Sequence, residues 1–146
     1  MNATTETTET TETREVPEIV AAWAAAWNGT DSAALGALFT EDGTYTDLAI
    51  GAVMTGREQI AGWKARTDAM IEDVHVTVKS AYRAGGRATI EAVYAGHIKG
   101  APTPFAVQMA TLLEISGEQI TSDRDYYSLS SVLAQSGLPA DWTPES

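Results

Sequence analysis

The segment ITSDRDYYSLSS, residues 120–131, alternates acidic and phenolic side chains with other residues. Because side chains along a β-strand point alternately to its two faces, Asp123, Asp125 and Tyr127 would share one face, with successive carboxylates about 7 Å apart. Carboxyl groups held in a desolvated pocket acquire raised pKa values and can transfer protons near neutral pH. The pattern therefore indicates either a strand face in water or the lining of a polar cavity suited to acid/base chemistry.

A second pairing of a carboxylate with a phenol lies in TYTDLAI, residues 44–50, where Tyr45 and Asp47 share a face of a predicted strand. Asp47 could equally end this strand and begin the turn before Gly51. The segment therefore predicts either a second half of the same site or a simple strand end.

The composition excludes several kinds of function. The 146 residues include no cysteine, so thiolate nucleophiles, disulfides and thiolate metal sites are excluded. The net charge of −11, with nine Lys and Arg, argues against binding to nucleic acid or to an acidic membrane surface. The first residues contain no basic segment followed by an apolar one, and no apolar run approaches a membrane span, so we expect a cytoplasmic protein.

The elements that must position these side chains begin after a polar segment. The repeat TTETTETTET contains no apolar residue, which predicts a disordered tail over residues 1–14, then one domain over residues 15–139 and a second tail over residues 140–146. Apolar residues at helical spacing predict a first helix in EVPEIVAAWAAAWNG, with Trp23 and Trp27 on its buried stripe. A short second helix is predicted in SAALGALF, capped by Asp31.

A third helix is predicted to begin at TGRE, where Thr55 and Glu58 have the spacing of a capping box. From residue 74 the period changes to two, and Gly85 and Gly86 supply a tight turn. This predicts four antiparallel strands in VHVTVKSAYRAGGRATIEAVYAGHIKG, PFAVQMATLLEI and QITSDRDYY, followed by a last helix in SLSSVLAQSG. The order predicts an α+β fold with the helices on one face of a curved sheet.

Two segments carry a resemblance to a known family. AAWNGTDSAALGALFTEDGTYTDLAIGAVMTGREQIAGW and EQITSDRDYYSLSSVLAQSGLP resemble the SnoaL-like polyketide cyclases, within the nuclear-transport-factor-like superfamily of ketosteroid isomerases, scytalone dehydratases and limonene-epoxide hydrolases. The resemblance covers residues 16–139. It implies a cone-shaped α+β barrel, in which a curved antiparallel sheet wraps around the N-terminal helices and encloses a pocket for a hydrophobic small molecule. It also implies a homodimer that works without metal or organic cofactor.

The resemblance assigns roles to three residues. Asp47 stands where ketosteroid isomerases hold their general-base aspartate, and Asp125 stands where SnoaL-like cyclases and epoxide hydrolases place an essential aspartate. His97 follows VYAG where several SnoaL-like cyclases have a Gly-x-His sequence. Two positions depart from the isomerase pattern. Trp23 occupies the position of the tyrosine in the first helix, and the position of the oxyanion aspartate falls near Thr111.

These residues predict a cofactor-independent lyase or isomerase that acts on a hydrophobic, polyketide-like carbonyl compound by aldol-type cyclisation, isomerisation or dehydration. Asp125 would be the general acid/base, with Asp47 as partner and His97 or a tyrosine hydroxyl as donor to an enolate oxygen. The predicted substrate contacts are Tyr45, Tyr127, Trp27, Trp63, Met109 and Asp123.

Two alternatives stay open at this point. The same fold serves as a non-catalytic module that binds a small molecule. The third possibility is the hydrolysis of an epoxide by water held between Asp47 and Asp125. That chemistry would require an Arg and an Asp two residues apart, whereas RATIEAVY offers Arg87 and Glu91, four apart.

Overall fold

The first two helices form close to where apolar spacing predicts them. In the computed structural model, which describes residues 16–144, α1 spans Glu18–Asn28 and buries both Trp23 and Trp27. The short helix α2 spans Ser32–Gly36, and the Asp31 side chain accepts the N–H of Ala33 as the predicted cap. Residues 1–14, the predicted tail, lie outside the described residues.

The chain leaves α2 earlier than predicted and enters the sheet. Strand β1 spans Phe39–Asp47, so the end of the predicted helix SAALGALF is wrong. Phe39 pairs with Ile120 and is fully buried. Pairing with another strand and burial of the aromatic ring therefore override the local helical pattern.

The predicted capping box does not form, because Thr55 belongs to a strand absent from the sequence prediction. Strand β2 spans Ala52–Thr55 and pairs antiparallel with β1. Helix α3 spans Arg57–Met70, with Gly56 at its N-cap and no side-chain capping bond. The Thr55 N–H is instead accepted by the Gln59 side chain at 2.9 Å.

The four predicted antiparallel strands are confirmed. They are β3, Ile71–Ala84; β4, Arg87–Ile98; β5, Phe105–Ser116; and β6, Gln119–Tyr126. Gly85, with a φ of 60°, supports the turn between β3 and β4. The last helix, α4, spans Leu129–Ser136 and ends at Gly137.

The six strands form one curved, unclosed sheet in the order β2-β1-β6-β5-β4-β3. Only the β1–β6 pair is parallel within this sheet of residues 16–144; the other neighbouring pairs are antiparallel. The main core lies between the inner face of the sheet and helices α1 and α3. The predicted α+β class with a curved sheet around N-terminal helices is therefore confirmed.

A second apolar cluster lies at the end of the sheet that carries α4. Phe105, Val107 and Val132 are buried there, and Trp142 packs against the same cluster. Part of the predicted C-terminal tail thus contacts the domain. Among residues 16–144, no helix combines the length and the apolar character that a membrane span requires.

Candidate active site

Strand pairing places the two candidate carboxylates opposite one another. The parallel register of β1 and β6 pairs Asp47 with Asp125 and Tyr45 with Asp123. On the other side of β6, the antiparallel register pairs Thr111 of β5 with Asp125. Side chains of residues paired in this way project to the same face of a sheet. The chemistry-bearing side chains of three strands therefore meet on the inner face.

A bulge in β6 keeps the acidic residues on the inner face. Ile115 pairs with Ile120 whereas Glu114 pairs with Ser122, so β6 contains one extra residue between these pairs. The extra residue reverses the alternation, and both Ile120 and Asp123 are fully buried. The strand can therefore begin with an apolar core residue and end with carboxylates facing inward.

Asp125 is surrounded by hydroxyl donors. The Tyr45 hydroxyl donates a short hydrogen bond to Oδ2, and Thr111 Oγ1 donates to Oδ1 at 2.7 Å. Burial raises the pKa of Asp125, while the neighbouring Asp123 and the hydroxyl groups of Tyr45 and Thr111 act in the opposite direction. A carboxyl group in this setting is accessible to proton transfer closer to neutral pH than an exposed aspartate.

Asp47 faces Asp125 with its own phenolic partner. The Tyr127 hydroxyl donates to Oδ2 at 2.8 Å, and the N–H of Ile50 donates to Oδ1 at 2.9 Å. Burial raises the pKa of Asp47, the two hydrogen bonds lower it, and the negative charge of Asp125 raises it further. Asp47 thus both ends its strand, as one interpretation of the sequence proposed, and faces the cavity.

Asp123 lies beneath these two groups and has no exposed surface. The indole Nε1 of Trp23 donates to Oδ2 at 2.9 Å. Complete burial and the neighbouring Asp125 raise the pKa of Asp123 well above its usual range, against the effect of the Trp23 hydrogen bond. Trp23 of α1 therefore donates a hydrogen bond to a buried carboxyl group of β6.

The side chains enclose a cavity with a volume of about 20 Å³, which is room for roughly one water molecule. Seven of the nine predicted site residues line it. Aromatic rings dominate the walls, and the Trp27 and Tyr45 rings pack edge to face with centroids 6.0 Å apart. Within residues 16–144, the lining consists of Trp27, Tyr45, Asp47, Trp63, Thr67, Val76, Tyr94, Met109, Asp125 and Tyr127.

The three tyrosines of the lining remain protonated at neutral pH. Burial and the nearby carboxylates raise the pKa values of Tyr45, Tyr94 and Tyr127 above that of an exposed phenol. Unlike the other two, Tyr94 makes no hydrogen bond to Asp47 or Asp125 in this part of the chain. Its hydroxyl is therefore a donor that a bound molecule can use.

Two predicted site residues lie outside the lining. Asp123 does not line the cavity, so a direct substrate contact does not follow from its position. His97 lies on the face of β4 opposite to Tyr94, since residues alternate along the strand. Its Nε2 is 2.8 Å from the Ala101 carbonyl oxygen. His97 therefore lies away from the carboxylates of the cavity.

Sequence reasoning did not select three residues of the lining, Thr67, Val76 and Tyr94. Tyr94 had a usable signal, because it is an aromatic residue on the alternate face of the strand that carries His97. Thr67 and Val76 have side chains typical of ordinary core positions, so nothing in their types marks them. In residues 16–144, no group of three or more His, Cys, Asp or Glu side chains is arranged to hold a metal ion.

A comparison with models of known protein families identifies the family of this chain. The model of the SnoaL-like domain matches residues 20–122. The chain belongs to the SnoaL-like family. None of the curated proteins with which its sequence was compared matches it.

Solved structures share the fold of this SnoaL-like protein. A protein with a ketosteroid isomerase-like fold from Catenulispora acidiphila, crystallised in complex with trimethylamine, is 80% identical, with a TM-score of 0.87 over 88% of this chain and 98% of the other. An LEH-like epoxide hydrolase from M. tuberculosis is 19% identical, with a TM-score of 0.68 over 80% of this chain and 85% of the other. A phenazine biosynthesis-related protein from Pseudomonas aeruginosa is 16% identical, with a TM-score of 0.74 over 97% and 96% of the two chains.

Proposed function

We propose that this protein is a cofactor-independent acid/base enzyme that acts on a small carbonyl compound in the central cavity. The observation that carries the proposal is the meeting of Asp47 and Asp125 inside an aromatic cavity, each held by a tyrosine hydroxyl. Burial raises the pKa values of both carboxyl groups, which is the adjustment that a base needs to work near neutral pH.

In this proposal Asp125 removes a proton from the carbon next to the carbonyl group. The C–H bond breaks, its electron pair forms the enolate, and the proton stays on Asp125. Tyr94 donates a hydrogen bond to the enolate oxygen, since its hydroxyl is not committed to a carboxylate. Asp125 then returns the proton to another carbon, or the enolate carbon attacks a second carbonyl and Asp125 gives its proton to the alkoxide that forms. These outcomes correspond to isomerisation and aldol cyclisation.

Substrate entry requires side chains of the lining to move, because the cavity holds only about one water molecule. Trp63, Tyr94 and Tyr127 are only partly buried. Side chains change rotamer more readily where they are exposed, on a picosecond to nanosecond timescale, than where they are fully packed. These three rings are the ones we expect to shift when a carbonyl compound binds.

Deuterium exchange tests the proposal without knowledge of the natural substrate. A panel of small cyclic ketones and β-keto esters is incubated with the protein in D₂O, and loss of the α-proton signal is followed by NMR. We expect exchange with the wild type and with Asp42→Asn, an exposed aspartate of β1, and none above background with Asp125→Asn. Equal exchange by Asp125→Asn would contradict the proposed base.

A second candidate function is binding of a small alkylammonium ion without conversion. The relative that is 80% identical was crystallised with trimethylamine. Protonation converts this amine into the trimethylammonium cation. Five aromatic rings and two carboxylates line the cavity of this chain, and no Lys, Arg or His does so. Such rings attract ammonium groups through their negative faces. Calorimetry with trimethylammonium and with tert-butanol, a neutral molecule of similar shape, tests this second function. If the function is correct, only the cation should bind.

Three finer predictions remain proposals. Epoxide opening by water between Asp47 and Asp125 is one, although no arginine lines the cavity. A homodimer formed through the outer face of the sheet is another, and sedimentation velocity measures it directly. Localisation to the cytoplasm is the third, and a fluorescent fusion tests it.

A further inference from the structure

The two adjacent carboxyl groups of β6 have unequal sets of hydrogen-bond donors. Asp125 accepts from two hydroxyl groups, those of Tyr45 and Thr111. Asp123 accepts from one indole N–H, at its Oδ2. Its other oxygen, Oδ1, is buried and has no hydrogen-bond partner among the described residues. A buried ionised carboxylate requires several donors, so the two groups are not equally able to carry the charge.

Among residues 16–144, no cationic side chain forms an ion pair with Asp123 or Asp125. The titratable groups that face it are Tyr45 and Asp47 from β1, Tyr94 from β4 and Tyr127 after β6. All of these are neutral or negative.

The nearest buried cation on the helical side belongs to α3. Lys64 lies over the Trp27 ring, but its Nζ bonds Asp68 at 2.7 Å and the Gly29 carbonyl at 2.9 Å. Its charge is therefore already engaged away from the carboxyl pair. Two full negative charges side by side in this interior would carry a large desolvation cost, so the pair holds at least one proton.

We propose that Asp123 holds this proton permanently and acts as a positioning residue that keeps Asp125 ionised and ready to accept a proton. The inference rests on the proposed function of Asp125 as a base. Trp23 occupies Oδ2 of Asp123, so the proton belongs on Oδ1, the oxygen without a partner. The candidate acceptor is the carboxylate of Asp125, which lies on the same face of β6; each of its oxygens accepts one hydroxyl group and keeps a second lone pair.

The donated hydrogen bond has a defined effect on its acceptor. A hydrogen bond to the charged form of a carboxyl group stabilises that form and lowers its pKa. Asp123 is the largest of the groups that lower the pKa of Asp125 in this way. Asp123 therefore opposes the effect of burial on the proposed base without touching the substrate.

Three variants separate this role from simple packing. Asp123→Asn keeps an N–H donor for Asp125 and an oxygen acceptor for Trp23, so it imitates the protonated acid. Asp123→Leu keeps a similar volume and loses the donor. Trp23→Phe removes the indole donor, which a neutral Asp123 does not need in order to stay protonated.

The experiment is a carboxyl-carbon NMR titration of Asp125 in the wild type and the three variants. We expect the pKa of Asp125 to stay within about half a unit in Asp123→Asn and Trp23→Phe, and to rise by roughly one unit, a tenfold change in acidity, in Asp123→Leu. A fall of more than about one unit in Asp123→Asn would overturn the proposal, because it would show that a negative charge had been removed.

The titration depends neither on the folding of the Leu variant nor on catalytic turnover. If Asp123→Leu does not fold, the Asn and Phe variants still decide between a neutral and an ionised Asp123. The titration requires no turnover, so its result stands apart from the deuterium-exchange assay. A protonated Asp123 together with an absence of exchange would contradict the proposed function and leave the assignment of the proton intact.

Discussion

Asp47 and Asp125 lie directly opposite one another on the parallel strands β1 and β6, and a different tyrosine hydroxyl is bonded to each. The two residues are 5% and 4% exposed, so they are buried acids rather than surface charges. The pairing of β1 with β6 fixes the positions of the two carboxylates, and the aromatic walls of the cavity shield them from water.

Loss of the Tyr127 hydroxyl should change the titration of Asp47. Tyr127→Phe removes the hydrogen bond that most strongly lowers the pKa of Asp47, so we predict a higher pKa for that carboxyl group. Carboxyl-carbon NMR measures the change directly. Tyr82→Phe is a matched control, because Tyr82 is 69% exposed and lies on β3 away from the cavity lining. An unchanged pKa in Tyr127→Phe would show that this hydrogen bond does not stabilise the carboxylate.

Removal of the Asp47 charge should alter the pH dependence of stability. The pKa of Asp47 is raised in the folded state, so the folded protein holds a proton that the unfolded chain loses at lower pH. Its contribution to stability is therefore complete below the unfolded pKa and decreases as the pH rises through the folded pKa.

Asp47→Asn removes this decrease. We predict that the difference in free energy of unfolding between Asp47→Asn and the wild type shifts in favour of the variant by on the order of 1 kcal/mol between about pH 3, below the unfolded pKa, and about pH 8. Urea denaturation at both pH values measures it, with Asp42→Asn as the exposed control. A shift in the opposite direction would mean that Asp47 is more acidic in the folded state.

Replacement of His97 should leave the chemistry of the cavity intact. His97 lies on the outer face of β4 and contacts the Ala101 carbonyl oxygen. His97→Gln should retain full deuterium exchange on any carbonyl compound that the wild type accepts, and lose at most about 1.5 kcal/mol of stability with the hydrogen bond. If exchange were abolished while thermal unfolding stayed normal, a role in catalysis would have to be restored to His97.

Removal of the Tyr94 hydroxyl should slow exchange without preventing ligand entry. Tyr94→Phe keeps the ring that packs edge to face on Tyr127, with centroids 5.3 Å apart. We predict a fall in kcat of about 10-fold to 1000-fold with a smaller change in KM, because the hydroxyl is used mainly when negative charge develops on the substrate oxygen. An unaffected kcat would assign the oxygen contact to another group.

The sequence allowed much of the fold to be predicted, because its signals are local. Alternation in β6 correctly placed Asp123 and Asp125 on one face, since the bulge lies before Asp123 and leaves the rest of the alternation unbroken. Strand β2 was missed because its four residues, between Gly51 and Gly56, are too few to show a period. Its existence depends on pairing with β1, which is a tertiary contact.

The site was harder to predict than the fold, because periodicity shows which residues share a face but not which face is inside. In β4 this ambiguity decided the outcome. Tyr94 and His97 have opposite parity, and only the pairing of β4 within the curved sheet directs Tyr94 toward the cavity. The sequence likewise does not show that Asp123 is buried against Trp23, because this hydrogen-bond partner lies on α1, one hundred residues away in the chain.

The central claim is that Asp47 and Asp125 face a desolvated cavity as groups able to transfer protons. The most direct test is the carboxyl-carbon NMR titration of both residues in the unmodified protein. The account predicts pKa values for Asp47 and Asp125 clearly above the value of about 3.9 for an unperturbed aspartate. Ordinary values near 3.9 for both would place the two carboxylates in water and contradict the account.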